Sequence, residues 1–267
     1  MTRYPLGTTD QELERLRFQH EVWRATTAAF LDRIGVAKGA RVIDLGCGPG
    51  FVTLELAERV GETGEVVALD ESPRWIEHLE GEVRRRGIGN VRPLRSRAQE
   101  ACLPDRSFDL IFARWVLSFV PRPGDAVRGL VRLLRPGGLF AFQDYNHEGV
   151  SLFPESEGFR AVVRATRAMY ARAGGDTWVA GRTGAIFREA DLELASIRAN
   201  VLCGGPGSPV FRWAGAFFPP FSESMEAQGL LAPEERRRFL AEWAEREVDP
   251  EALFFSPIVV DAAGRRA

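Results

Sequence analysis

An aspartate followed by glycines at every second position, Asp44-x-Gly46-x-Gly48-x-Gly50 within VIDLGCGPG, is the part of this 267-residue chain best suited to hold a ligand. Glycine has no Cβ, so a backbone built from it turns tightly and lets a bound molecule lie against the main chain. The carboxylate in front of the loop selects for charge. A pyrophosphate laid there would meet Asp44, and no Lys or Arg stands within residues 44–50 to offset the repulsion. The spacing also departs from the dinucleotide fingerprint G-x-G-x-x-G, whose third glycine would fall on Phe51. The loop suits a ligand that is neutral or cationic where it touches Asp44.

A second acid, Asp70, ends the run EVVALD about 20 residues past the last glycine, where an acid at a strand end accepts hydrogen bonds from ribose hydroxyls. The competing reading makes Asp70 a helix cap, a job for which Ser72, just ahead of Pro73, is also placed.

Elements of alternating type must position these groups. VIDL (42–45) is a short apolar run suited to a strand buried on both faces, and FVTLELAERV (51–60) has helical spacing. The pattern continues with strand 65–70, helix 73–87, a weak strand 91–95 and a strong strand 108–114. A helical stretch around 123–135 and a glycine-marked turn then lead into a strand ending at 145. Strands alternating with helices predict an α/β fold with a parallel sheet and right-handed crossovers. The glycine loop then lies at the carboxyl end of a strand, where open α/β sheets bind ligands.

Bulk properties narrow the function classes. The formal net charge is −2, so no overall basic field is available for a polyanion. Lys38 is the only lysine, and the arginine runs 84–86 and 236–238 have glutamates beside them, as solvated helix faces do. Cys47, Cys102 and Cys203 are far apart, which suggests neither a disulfide framework nor a zinc site and fits a reducing compartment. The first residues are too polar for a signal peptide, and IFARWVLSFV is too short to span a bilayer. The expectation is a cytoplasmic protein with no nucleic-acid partner and no metal.

Residues 40–145 resemble the class I S-adenosylmethionine-dependent methyltransferases, particularly the small-molecule group that includes the ubiquinone and menaquinone methyltransferases. VIDLGCGPG, VVALDESP, SRAQEACLPDRSFDLIFARWVL and LLRPGGLFAFQDY carry the likeness. The resemblance implies a Rossmann-like, seven-stranded, mostly parallel sheet with helices on both faces and a helical cap. It also implies that S-adenosyl-L-methionine is the cofactor, with S-adenosyl-L-homocysteine as product. Its methionine end would lie on Asp44, Gly46, Cys47, Gly48 and Gly50, its ribose on Asp70 and Glu71, and its adenine near Ala98 and Gln99. Arg114 and Trp115 would follow strand four. The family commonly has Asp just before the alanine, to accept from the adenine amino group; here that residue is Arg97, which has no acceptor.

In such enzymes the last two strands form an antiparallel pair, placed here at 192–202 and 254–261 after a helix at 181–190. One methyltransferase domain would span 1–267. Residues 1–40 would be its helical lid, with Gln19 and Trp23 against the cofactor, and 41–145 its cofactor-binding core. Residues 146–180 and 204–250, rich in aromatics, would form a cap for a small apolar or aromatic acceptor. The lid helix, 11–35, is expected to be removable without loss of the sheet. A general base is needed only if the acceptor atom carries a proton, and His20, Tyr145 and His147 are the candidates. The alternatives are an NAD-dependent oxidoreductase, disfavoured by the early third glycine, and a non-catalytic cofactor-binding regulatory protein, which Arg97 leaves open.

Overall fold

The computed structural model describes residues 7–97 and 100–267. Helix α1 (Asp10–Ile34) starts where the Thr9 hydroxyl accepts from the Glu12 N–H at 3.1 Å, and stops at the left-handed Gly35. The strand–helix alternation follows as β1 (Arg41–Leu45), α2 (Phe51–Val60), β2 (Glu65–Asp70), α3 (Pro73–Arg86), β3 (Val91–Arg95), β4 (Phe108–Arg114), α4 (Pro123–Val131) and β5 (Leu134–Asn146). Then come β6 (Ser151–Phe153), α5 (Glu157–Arg172), α6 (Thr183–Glu189), β7 (Leu192–Asn200), β8 (Cys203–Gly204), α7 (Pro209–Ala227), α8 (Pro233–Arg246), β9 (Leu253–Phe255) and β10 (Ile258–Arg266).

The seven-stranded sheet has the order β3-β2-β1-β4-β5-β10-β7, parallel except for β10, which runs antiparallel to both of its neighbours. Strand order reverses at β1, between β2 and β4, and the crevice beyond the strand ends opens there. Register fixes what faces that crevice. Leu45 pairs with Leu69 on one side and Ala113 on the other, so Asp70 and Arg114 flank the glycine loop.

Phe30 and Leu31 of α1, with Leu56 of α2 and Leu79 of α3, cover one sheet face. Val127 and Leu130 of α4 and Phe187 of α6 cover the other. A third apolar cluster joins α5, α7 and α8 to a small antiparallel sheet of order β6-β9-β8. The expected cap therefore contains strands as well as helices. No described helix is long and apolar enough to cross a membrane.

Three expectations change. The last strand is Ile258–Arg266 rather than 254–261, because Pro257 has no N–H to donate and residues 254–255 pair in the small sheet instead. Strand β5 begins at Leu134, before the glycine-marked turn, with a register shift opposite Phe108 and Leu110. Helix α1 is also built into the core in its second half. Trp23, Thr27, Phe30 and Leu31 in its second half have no exposed surface, so the sheet is not independent of this helix.

Candidate functional site

Gly46, Gly48 and Gly50 all take positive φ, at 62°, 53° and 90°, where L side chains are strained. Their surroundings separate their roles. A Cβ on Gly50 would lie 2.3 Å from Leu79 Cδ1, so this glycine lets α3 pack against the loop. A Cβ on Gly48 would meet no protein atom within 4 Å, and Gly48 borders the crevice, so the loop is open to the crevice at this point.

Asp44 sits at the floor of the loop, 2% exposed, and one of its carboxylate oxygens accepts from Thr53 Oγ1 at 2.6 Å. Burial pushes its carboxyl up to about 7, against the Thr53 hydrogen bond and the Arg114 charge, with Asp70 adding to the rise. A cation placed here would restore the carboxylate. Asp70 accepts from the Gly48 N–H at 2.9 Å through one oxygen and from the Ser72 N–H at 2.8 Å through the other. Burial raises its carboxyl, and these two N–H groups oppose the rise. The cap of α3 is Ser72, whose hydroxyl accepts from the Trp75 N–H at 3.4 Å. Asp70 thus ties the glycine loop to the next loop, and each of its oxygens keeps a second lone pair.

Arg114, half-buried at the end of β4, anchors a polar chain running through the sheet. It donates to Thr27 Oγ1 at 3.2 Å, and Thr27 Oγ1 donates in turn to Gln143 Oε1 at 2.7 Å. Gln143 donates to Asp261 at 2.7 Å, and Asp261 pairs with Arg33 at 2.9 Å. This chain bolts α1 across β4, β5 and β10. On its other side Arg114 donates to His20 Nδ1 at 3.1 Å. Arginine only donates, so Nδ1 is the acceptor and the His20 proton sits on Nε2, 3.5 Å from Glu55 Oε1. Burial, then Arg114 and Arg24, hold His20 down at about 3. Burial also lowers the Arg114 guanidinium, to about 10, against the pull of Asp44 and Glu55.

Trp115 follows with φ 54°, a left-handed conformation rare for a bulky residue. Its N–H donates to the Gln143 carbonyl at 2.8 Å. The turn is held from below by Asp144, whose oxygens accept the Ser118 and Tyr145 N–H groups at 3.1 and 2.8 Å. Burial lifts Asp144 to about 6 against those bonds. The strained turn lays Trp115 flat against Tyr145, with centroids 5.8 Å apart and planes 16° from parallel. The Arg114 guanidinium lies 4.6 Å from the Trp115 ring centroid.

These groups border one cavity of about 1210 Å³. At one end are Asp44, Gly46, Cys47, Gly48, Asp70 and Glu71, followed by Trp75 and Arg97. The other end is walled by aromatics from the cap, among them Tyr170, Trp213 and Phe217, with Tyr145 and His147 from β5 and the loop after it. Gln19 and Arg15 of α1 close the side. Arg15 is held by Glu12 through two contacts of 2.7 Å and donates to Gln19 at 2.9 Å.

The structure thus gathers Asp44, Gly46, Cys47, Gly48, Asp70, Glu71, Arg114, Trp115, Gln19, Tyr145 and His147 around one space. Three expected contacts stand off it. Gly50 faces Leu79, and His20 stacks on Phe51 at 5.4 Å with both nitrogens facing charged partners. Trp23 is sealed behind the wall, edge-on to Trp115 and Trp213 at 6.2 and 5.6 Å. Ala98 and Gln99 lie outside the described residues, while Arg97 pairs with Glu71 and Glu100 at 3.5 and 3.6 Å. Sequence reasoning missed Arg15, Thr27, Thr53 and Gln143. Only a polar residue among apolar ones signalled Thr53 and Gln143, and no local pattern marks Arg15 or Thr27.

A methyltransferase-domain family model matches residues 37–190. Over 120 residues the chain is 36% identical to a ubiquinone/menaquinone biosynthesis C-methyltransferase of Azotobacter vinelandii, covering 45% of this chain and 46% of that protein. Over 121 residues it is 35% identical to a demethylmenaquinone methyltransferase of Geobacillus kaustophilus, covering 45% and 50%. The chain spans about half the length of the curated relatives it matches. A candidate methyltransferase from Bacillus halodurans shares the fold, with a TM-score of 0.62 at 18% identity over 89% of this chain and 97% of that one. So does geranyl diphosphate C-methyltransferase from Streptomyces coelicolor, solved with S-adenosyl-L-homocysteine, with a TM-score of 0.54 at 16% identity over 93% and 77%. At such identities the structural likeness is one of fold.

Proposed function

Because the chain belongs to the methyltransferase-domain family, we propose that it transfers a methyl group from S-adenosyl-L-methionine to a small, largely apolar or aromatic acceptor. The observation that carries this reading is the single cavity joining a cationophilic glycine loop to an aromatic chamber. The cofactor supplies a methyl group already activated on a sulfonium, so the chain's task is to bind and align.

In this reading the space over Gly48 takes the methionine end of the cofactor, with Asp44 balancing its positive charge. Asp70 uses its remaining lone pairs on the ribose, and Glu71 borders the same side. Arg97 lends the adenine no acceptor. Trp115 and Tyr145 form the wall between the two ends, where an aromatic surface favours a nearby cation. The first half of α1, around Arg15 and Gln19, acts as the wall that admits ligands, while its second half stays fixed in the core. Residues 146–180 and 204–250 supply the acceptor chamber. The widely spaced cysteines, all free, fit work in a reducing cytoplasm.

Calorimetry with S-adenosyl-L-homocysteine and with NAD tests the reading. Saturable binding of the first, and none of the second, is expected. An NAD pyrophosphate on this loop would face Asp44, and saturable NAD binding without a response to S-adenosyl-L-homocysteine overturns the assignment.

A further inference from the structure

The two edges of the seven-stranded sheet are built differently. At one edge β3 is short and carries Pro93, which has no N–H to offer a further strand. At the other, β7 runs for nine residues with no Pro and no Lys. Among the described residues no strand pairs with its outer side. Such an edge presents backbone N–H and C=O groups to any further strand, and proteins commonly shorten it, cover it or guard it with proline and lysine. Here it displays Leu194 and Ile197 instead, 57% and 54% exposed.

The pattern along β7 is complementary to itself. Its pairing with β10 shifts by one residue between Ala263 and Gly264, which leaves Ala195 as the extra residue of a bulge. Ile197 pairs with Ala262 and Leu194 with Gly264, so both lie on the sheet face that α6 covers. Ala262 packs in the cluster with Phe187 of α6, and a Cβ on Gly264 would lie 3.1 Å from the Phe187 ring. Arg198 pairs with Asp261 and Glu193 with Arg265, on the opposite face, where Asp261 meets Arg33 of α1. In a regular strand residues 193 and 198 would face opposite ways, and the bulge brings them to the same face.

From these observations we infer that β7 pairs antiparallel with β7 of a second copy of this chain, with the twofold axis between Ala195 and Ser196. In that register Leu194 stands opposite Ile197 of the second copy, and Glu193 opposite Arg198 of the second copy. On the α1 face the row across the junction is Arg265, Glu193, then Arg198 and Asp261 of the copy, alternating in sign. On the α6 face the two leucines and two isoleucines form one apolar cluster. Opposite-charge and apolar cross-strand pairs both stabilise an antiparallel junction. A slip of one residue either way sets Leu194 opposite Ser196 or Arg198, which lie on the other face. The contact is isologous and closes at two copies, because it uses both β7 edges and β3 is guarded. It involves no cavity residue, so it stands apart from the methyl-transfer reading.

Sedimentation equilibrium of the full chain over a range of micromolar concentrations tests the pairing. The native chain should reach twice its mass of 29.7 kDa and no more. Leu194→Lys and Ile197→Lys should each give monomers, while Val248→Lys, at a side chain 81% exposed elsewhere on the surface, should leave the dimer intact. Glu193→Arg or Arg198→Glu alone should weaken association about tenfold, since each sets like charges opposite one another at two symmetric positions. The double exchange should recover most of that loss, which a merely structural role for either residue would not produce. Unfolding midpoints of the lysine variants, measured at concentrations where the native chain is also monomeric, should match the native one and so separate loss of pairing from loss of fold. A monomeric native chain, a mass above two copies, or a dimer that persists in both lysine variants overturns the inference, as does a double charge exchange that recovers nothing.

Discussion

Replacing Gly50 and Gly48 by alanine, one at a time, should separate packing from ligand binding within a single loop. At Gly50 the added methyl meets two penalties. An L residue at φ 90° costs about 1–2 kcal/mol in the left-handed region. A Cβ 2.3 Å from Leu79 Cδ1 adds an overpacking cost of about 1–3 kcal/mol, because Leu79 is fully buried and cannot swing away. The stiffer unfolded chain returns about 0.4–1 kcal/mol. The net expectation is a loss of about 2–4 kcal/mol for Gly50→Ala. At Gly48 only the backbone penalty applies, since a Cβ there meets no protein atom, and the net loss should be about 1 kcal/mol. Guanidinium unfolding measures both losses as midpoint shifts at constant slope. Binding should rank the other way. The midpoint gain from saturating S-adenosyl-L-homocysteine should persist in Gly50→Ala and shrink or vanish in Gly48→Ala, whose methyl projects into the cavity. Combining Gly50→Ala with Leu79→Ala should cost less than the two changes separately, as the new methyl fills part of the space Leu79 leaves. If Gly50→Ala is as stable as the parent, or if both glycine variants lose binding equally, the division of labour in the loop is wrong.

Asp70→Ala should weaken S-adenosyl-L-homocysteine binding by about 1.5–3 kcal/mol, the range for hydrogen bonds to a charged group, since it also frees the Gly48 N–H from its partner. Calorimetry showing unaltered affinity would remove Asp70 from the site. Asp44 has a folded pKa of about 7, above its unfolded value, so the folded state holds its proton more tightly and ionisation costs stability as pH rises from about 4 to 7. The stability of Asp44→Asn relative to the parent should therefore climb across that window by up to about 1.4 kcal/mol per pH unit. A ligand cation beside Asp44 should release a proton near pH 6–7, seen as a binding heat that changes with the buffer's ionisation enthalpy and is lost in Asp44→Asn. Thr27→Val leaves Gln143 Oε1 and an Arg114 N–H buried without their partner and should cost about 2–4 kcal/mol in unfolding experiments; under 1 kcal/mol would mean the polar chain does not hold α1. Deleting residues 1–30 should abolish cooperative unfolding, because it removes Trp23, Thr27 and Phe30 from the core.

Local rules settled the glycine-loop end of the cavity. Asp44, the alternating glycines and Asp70 lie on consecutive strand ends, and a buried parallel strand, a left-handed turn and a helix start each leave a signature within a few residues. Sequence order alone therefore places the loop and Asp70 at the switch point of the sheet. The aromatic end was legible only as a concentration of aromatics, because Tyr170, Trp213 and Phe217 come from helices far apart in the chain that meet through packing. Tertiary structure also decided the last strand, since Pro257 divides one apolar run between two sheets. It reassigned His20, Trp23 and Gly50 as well, whose roles depend on which way a side chain or Cβ points once α1 and α3 have docked. The chain from Arg33 to Arg114 links residues up to 228 positions apart. No spacing rule reaches that far, because hydrogen bonds of this kind are fixed by the closed fold and not by neighbouring residues.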